Sequence, residues 1–165
     1  MPDAWVPIHD WPGPDTPLGK LFFANAALAL AVWRSLDKSD NFAFGMIANA
    51  EAESALDPTA KGDYGLDRKP TAFGLHQLHM DRIAIVKARW GIDIATLPPL
   101  GLQIVAAYHE LETFLYLGKA QIEAAANPSD AGAAACTYFE RPLVQIESMR
   151  RGQMAQRWAD HFKGL

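Results

Sequence analysis

The sequence predicts a mainly α-helical single domain that carries a small β-hairpin or irregular loop element around residues 60–75. Three observations lead there. Most of the chain carries apolar residues at helical spacing, in blocks bounded by proline, glycine or a capping residue. One polar stretch, Thr59 to Leu75, interrupts that pattern with Gly62, Gly65, Pro70 and Gly74. The 165 residues, half of them hydrophobic, suffice for one core of ordinary size and are too few for two comfortable domains.

Residues 1–16 contain Pro2, Pro7, Pro12, Gly13 and Pro14, which predicts an irregular N-terminal arm pinned to the body by Trp5 and Trp11. Residues 17–165 form the domain proper. Its first helix runs from Pro17 to Leu36, with proline in the first turn, where the missing N–H costs little. Ser39 or Asp40 caps a second helix that ends near Leu56, because Asp57-Pro58 disfavours helical geometry. A third extends from His79 to about Trp90, with Gly91 as terminator. Pro98 and Pro99 open the next, whose stripe of Leu100, Ile104, Ala107, Leu111 and Leu115 continues until Asn127-Pro128 breaks it. Ser129 or Asp130 then caps a helix to about Phe139. Pro142 starts the last one, with Ile146, Met149, Met154, Trp158 and Phe162 on one broad side. Alanine-rich stretches at 124–126 and 133–135 suggest close helix contacts.

Fifteen basic and nineteen acidic residues leave a net charge of -4 with no long run of either sign. Nucleic acid is therefore not an expected partner, and a basic membrane-surface helix is absent. Leu21 to Trp33 falls short of the roughly 20 apolar residues a bilayer span needs, and it contains Asn25, so no membrane span is expected. The start of the chain carries Asp3, Asp10 and Asp15 rather than positive charge, and no signal peptide is expected. Cys136, the single cysteine, reads as an inert buried thiol. His76 and His79 have a spacing that could chelate a metal, but a third ligand is not evident, and His109-Glu110 lacks the second histidine of a His-Glu-x-x-His site. Neither a metal nor another cofactor is expected.

The chemistry points to the end of the second helix, Ala50-Glu51-Ala52-Glu53-Ser54. A carboxylic acid in apolar surroundings keeps its proton to unusually high pH, as a general acid in glycoside cleavage must. At 100° per residue, Glu53 shares a face with Phe42, Met46 and Asn49, and Glu51 lies roughly opposite Phe42. Helical phase thus ranks Glu53 above Glu51, although the helix is apolar almost all round and neither is excluded. Asp63 and Asp67, in the polar stretch that follows, are the candidates for a second carboxylate that orients water or stabilises positive charge. Each is also a common turn residue. Glu140 and Arg141 read as an ion pair or cap that fixes a helix junction.

Ala52-Glu53-Ser54 with Asp57-Pro58 and Ala60, then Gly62-Asp63, then Ala72-Phe73-Gly74-Leu75-His76-Gln77, resembles the lysozyme-like superfamily of phage tail lysozymes and soluble lytic transglycosylases. Tyr138-Phe139-Glu140-Arg141-Pro142, followed by Arg150 or Arg151 and Ala155, resembles the tail-lysozyme branch in particular. The resemblance spans roughly residues 44 to 162, and the order and spacing of its short motifs make it fairly specific. Asp67-Arg68-Lys69-Pro70 departs from it as an apparent insertion.

The resemblance implies an α+β lysozyme-like fold and an enzyme that cleaves peptidoglycan glycan strands, with Glu53 as catalytic acid. It implies a glycan groove lined by the Gly74-Leu75 backbone and Gln77, with Tyr108 facing it from the long helix; His76, beside Gln77, reads as a polar wall of that groove, and Ser54 is a further candidate for substrate binding. Expected alternatives are a lytic transglycosylase with the same acid, or a non-catalytic glycan-binding or phage structural module. A monomer or a part of a phage particle is expected, either released from a host cytoplasm to the periplasm and cell wall as an endolysin or carried on the virion.

Overall fold

The computed structural model describes residues 10–140 and 146–164. The expectations for Trp5, Arg141 and Pro142 lie outside these residues. Helix α1 (Pro17–Ser35) is capped by Thr16, whose hydroxyl accepts from Gly19 N at 2.9 Å, and proline occupies its first turn as expected. Helix α2 (Asp40–Ser54) is capped by Ser39 rather than Asp40; Ser39 Oγ accepts from Phe42 N at 3.2 Å. It ends at Ser54, two residues short of the expected Leu56, because Ala55 (φ 53°) and Leu56 (φ 59°) both turn left-handed. Asn25, the polar residue inside apolar α1, holds that turn by donating to Leu56 O at 2.8 Å.

Strands β1 (Lys61–Tyr64), β2 (Pro70–Phe73) and β3 (Leu78–His79) make an antiparallel sheet in the order β1-β2-β3, so the middle element is a hairpin with a short third strand. Gly62 pairs with Ala72, and Phe73 with Leu78. Helix α3 (Met80–Trp90) ends on Gly91 at φ 73°, as expected. Helix α4 (Leu100–Thr113) stops earlier than its stripe predicts. Leu115 N reaches back to Glu110 O at 3.0 Å, and the chain restarts as α5 (Tyr116–Glu123). The restart brings Gly118 against Tyr138, where a Cβ would lie 2.7 Å from the tyrosine Cβ.

Helix α6 (Pro128–Ala135) is capped by Asn127, not by Ser129 or Asp130: its Oδ1 accepts from Asp130 N at 2.9 Å. A π-helical turn (Cys136–Glu140) follows, and α7 (Ile146–Lys163) closes the fold. Residues Phe42 to Ala50 of α2 are buried all round, among α1, α6 and α7. Two glycines allow the helices to approach. A Cβ on Gly45 would sit 2.7 Å from the Ala131 carbonyl carbon, and one on Gly132 would sit 2.5 Å from Arg151 O. Of the alanine-rich stretches, Ala135 is fully buried at this contact, whereas residues 124–126 lie mostly at the surface after α5.

Trp11 is inserted beside Trp158 with centroids 4.3 Å apart, which ties the N-terminal arm to α7. On α7 itself Met154 and Trp158 are buried, but Ile146 and Met149 face solvent. Arg151 takes the inward position of that helix and is 6% exposed. Among the described residues no helix is long and apolar enough to cross a membrane.

Candidate active site

The last turn of α2 meets α7, the π-helical turn and the sheet, and Glu53 stands at that meeting point. Helical phase put Asn49 and Glu53 on one face, and Arg151 spans them. Its Nη2 lies 2.6 Å from Glu53 Oε1, and its Nη1 donates to Asn49 Oδ1 at 3.0 Å. Asn49 is fully buried and its amide donates to Gly45 O and Gly132 O, which fixes the oxygen that the guanidinium uses. Phe42 and Met46 belong wholly to the core, so what faces the Glu53 carboxyl is charged rather than the apolar cover the sequence suggests.

The site's other wall begins at the next residue. Ser54 Oγ lies 2.8 Å from Leu75 O and 3.0 Å from Ala50 O, so it joins the acid's helix to the loop between β2 and β3. Leu75 N donates to Gln103 Oε1 at 2.7 Å, while Gln103 Nε2 donates to Pro58 O and Pro98 O. Gly74 turns left-handed at φ 75°, and a Cβ there would collide with the Gln103 side chain. The Gly74-Leu75 backbone is thus held from both sides. Gln77, at φ 46°, donates to Gly74 O at 2.9 Å and lies against Gly62.

His76 is buried, where the sequence reading puts it on the groove wall. Its Nδ1 sits 3.1 Å from Glu140 Oε1, and its ring stands edge-on to Phe139. Burial pushes the Glu53 carboxyl above the ordinary carboxylate value, and the negative charge of Glu140 pushes it the same way. Arg151 pulls against both, and the upward direction prevails. The carboxyl is 24% exposed at a helix end, and its proton affinity is shifted in the direction that proton donation favours.

The sequence profile of the family described as phage tail lysozyme matches residues 24–162. The chain belongs to the phage tail lysozyme family. Its function is therefore lysozyme-like peptidoglycan degradation, and its fold is the mainly α lysozyme-like one. Neither the curated proteins nor the solved structures contain a significant match to it.

The matched region of this tail lysozyme homologue contains Glu53, Ser54, His76, Gln77, Glu140 and Arg151. Other expected residues stand apart. Tyr108 lies under Lys38 Nζ, 5.3 Å from its ring centroid, and the same ammonium covers Phe42, at the opposite end of α2 from Glu53. Asp67 is 61% exposed and accepts from Lys69 N within its own turn. Asp63 is 69% exposed, and its Oδ2 lies 3.2 Å from His79 Nε2. The two histidines thus hold different carboxylates. The Glu51 side chain is only 9% exposed, and Arg157, Trp158 and Trp11 all donate to it, at 2.7, 2.6 and 3.1 Å. Burial nevertheless holds its carboxyl above the ordinary value, against the guanidinium and both indoles.

Sequence reasoning missed Asn49 and Gln103 as supports, and it read Glu140 as a junction cap. Asn49 carried a signal, since it lies one turn from Glu53 on the same face. Gln103, inside an apolar stripe, carried only the oddity of a polar residue there. Beside Glu140 a cavity of about 480 Å³ opens between α3 and α4, lined in part by His79, Arg82, Glu110 and Phe139.

Proposed function

We propose that this phage tail lysozyme homologue is a muramidase that cleaves the β-1,4 bond between N-acetylmuramic acid and N-acetylglucosamine, with Glu53 as general acid. The observation that carries the proposal is the raised proton affinity of a partly exposed carboxyl beside the Gly74–Gln77 wall. Oε1 accepts from Arg151, which leaves Oε2 to carry the proton to the leaving glycosidic oxygen. Once the proton has gone, the new carboxylate already has its guanidinium partner, so charge develops where it is stabilised. Water then attacks the oxocarbenium-like carbon. Asp63, steadied by His79, is the better of the two hairpin aspartates to assist it, because Asp67 is engaged by its own turn.

The glycan would lie along the Gly74-Leu75 backbone, where Ser54 and Gln77 are the polar side chains in reach. The exposure of Asp63 and Asp67 supports a second reading, in which the muramic 6-hydroxyl replaces water and an anhydro product forms as in a lytic transglycosylase. Phage origin, with action at the cell wall as an endolysin or a virion-borne lysozyme, completes the proposal. Glu53→Gln should lower the rate of murein lysis by about 10²- to 10⁴-fold with the thermal transition retained. Lysis at the wild-type rate would overturn the assignment. Mass spectrometry of the digest distinguishes the two outcomes, since the anhydro product is lighter by one water.

A further inference from the structure

Two charged groups converge on the acid from two other elements: Arg151 of α7 and Glu140 of the π-helical turn. The covalent path explains the convergence. Ser54, next to Glu53, is bonded to Leu75 O; His76, next to Leu75, is bonded to Glu140. The side chains of Glu140 and Arg151 are each 7% exposed, so solvent screens little between them. The other titratable groups are His76 from the sheet loop, Cys136 from the π-helical turn and Glu147 from α7, which lies 4.0 Å from Arg151 Nε and 3.6 Å from Arg150. Arg82 and Glu110, which line the cavity beside Glu140, pair with each other at 2.9 Å. Among the described residues the cluster therefore contains three carboxylates, those of Glu53, Glu140 and Glu147, for the two guanidinium groups of Arg150 and Arg151.

We propose that Glu140 is a positioning residue for the acid: with Arg150 and Arg151 able to balance two of the three carboxylates, the cluster retains one proton, and Glu53 carries it. His76 gives Glu140 a partner of its own. Its Nε2 is buried without a hydrogen-bond partner, so a proton there would be an unsatisfied donor, whereas a proton on Nδ1 is donated to Glu140. Of the two carboxyls Glu53 is the one whose proton affinity burial and the neighbouring Glu140 raise. Without Glu140, Glu53 and Arg151 become a simple ion pair, and the acid ionises too early to donate.

The inference rests on Glu53 being the acid, and its test separates the two. In E140Q the alkaline limb of kcat/KM for murein should move to lower pH by about one pH unit or more, with activity recovered as pH falls. E140D, which keeps the charge, should keep the limb near its wild-type position. An unmoved limb in E140Q, or a loss equal at every pH in a folded protein, overturns the proposal while leaving the Glu53 assignment to its own variant. If E140Q does not fold, carboxyl ¹³C NMR of the wild-type chain decides. One glutamate resonance, absent in E53Q, should titrate above the ordinary glutamate range, and its failure to do so overturns the proposal without any assay of activity.

Discussion

Glu51→Gln, two residues from the acid, should damage the fold and spare the chemistry. The Glu51 side chain is 9% exposed and accepts from Arg157, Trp158 and Trp11. Glutamine keeps one acceptor oxygen and turns an amide donor toward groups that are themselves donors. One buried donor without an acceptor costs about 1–3 kcal/mol. The lost partner of the Arg157 charge adds to that, for a total of about 2–4 kcal/mol. In a domain of this size each kcal/mol moves the transition by about 2–4 °C, so Tm should fall on the order of 5–15 °C. The pH dependence follows from the raised Glu51 carboxyl. Above the ordinary carboxylate value the unfolded chain has released this proton while the folded chain still holds it. Wild-type stability therefore falls as pH rises through the window up to the raised value. Glutamine does not titrate, so the gap between the two proteins should be widest near about pH 4 and narrower near about pH 7. Circular dichroism melts at both pH values measure it, with murein lysis assayed below both transitions. An unchanged Tm, or a gap that widens with pH, would refute the account, and lost activity at full stability would make Glu51 catalytic.

Gln103→Leu removes the acceptor for Leu75 N and the donor to Pro58 O and Pro98 O. It should cost about 1–3 kcal/mol in urea unfolding and raise KM for murein more than it lowers kcat, because the glycan wall loosens while Glu53 stays in place. A wild-type KM would show that the wall does not bind glycan. Gly45→Ala places a methyl group 2.7 Å from the Ala131 backbone and should cost about 1–3 kcal/mol by forcing α2 and α6 apart. Wild-type stability in a denaturant titration would mean that the helices separate at no cost.

What the sequence made legible was local. The proline in the first turn of α1, the cap of α2 at Ser39 or Asp40, the terminator Gly91 and the shared face of Asn49 and Glu53 are each set by residues within one or two turns, where periodicity and capping chemistry act. The misread features depend on partners far away in the chain. Gly118 packs against Tyr138, and the Glu51 carboxyl accepts from Trp158, 107 residues on. His76 looked like a wall because Glu140, its partner, lies 64 residues away. In the sequence Arg151 is not distinguished from Arg150, because the two groups it joins lie on another helix. The same division runs through the chemistry. A glutamate at the end of an apolar helix can be found from its own neighbourhood, but whether it holds a proton depends on the balance between burial, Glu140 and Arg151, and those reach it only through the fold. A family member that kept the glutamate-serine pair but lost either distant charge would retain the local pattern of the acid and titrate differently.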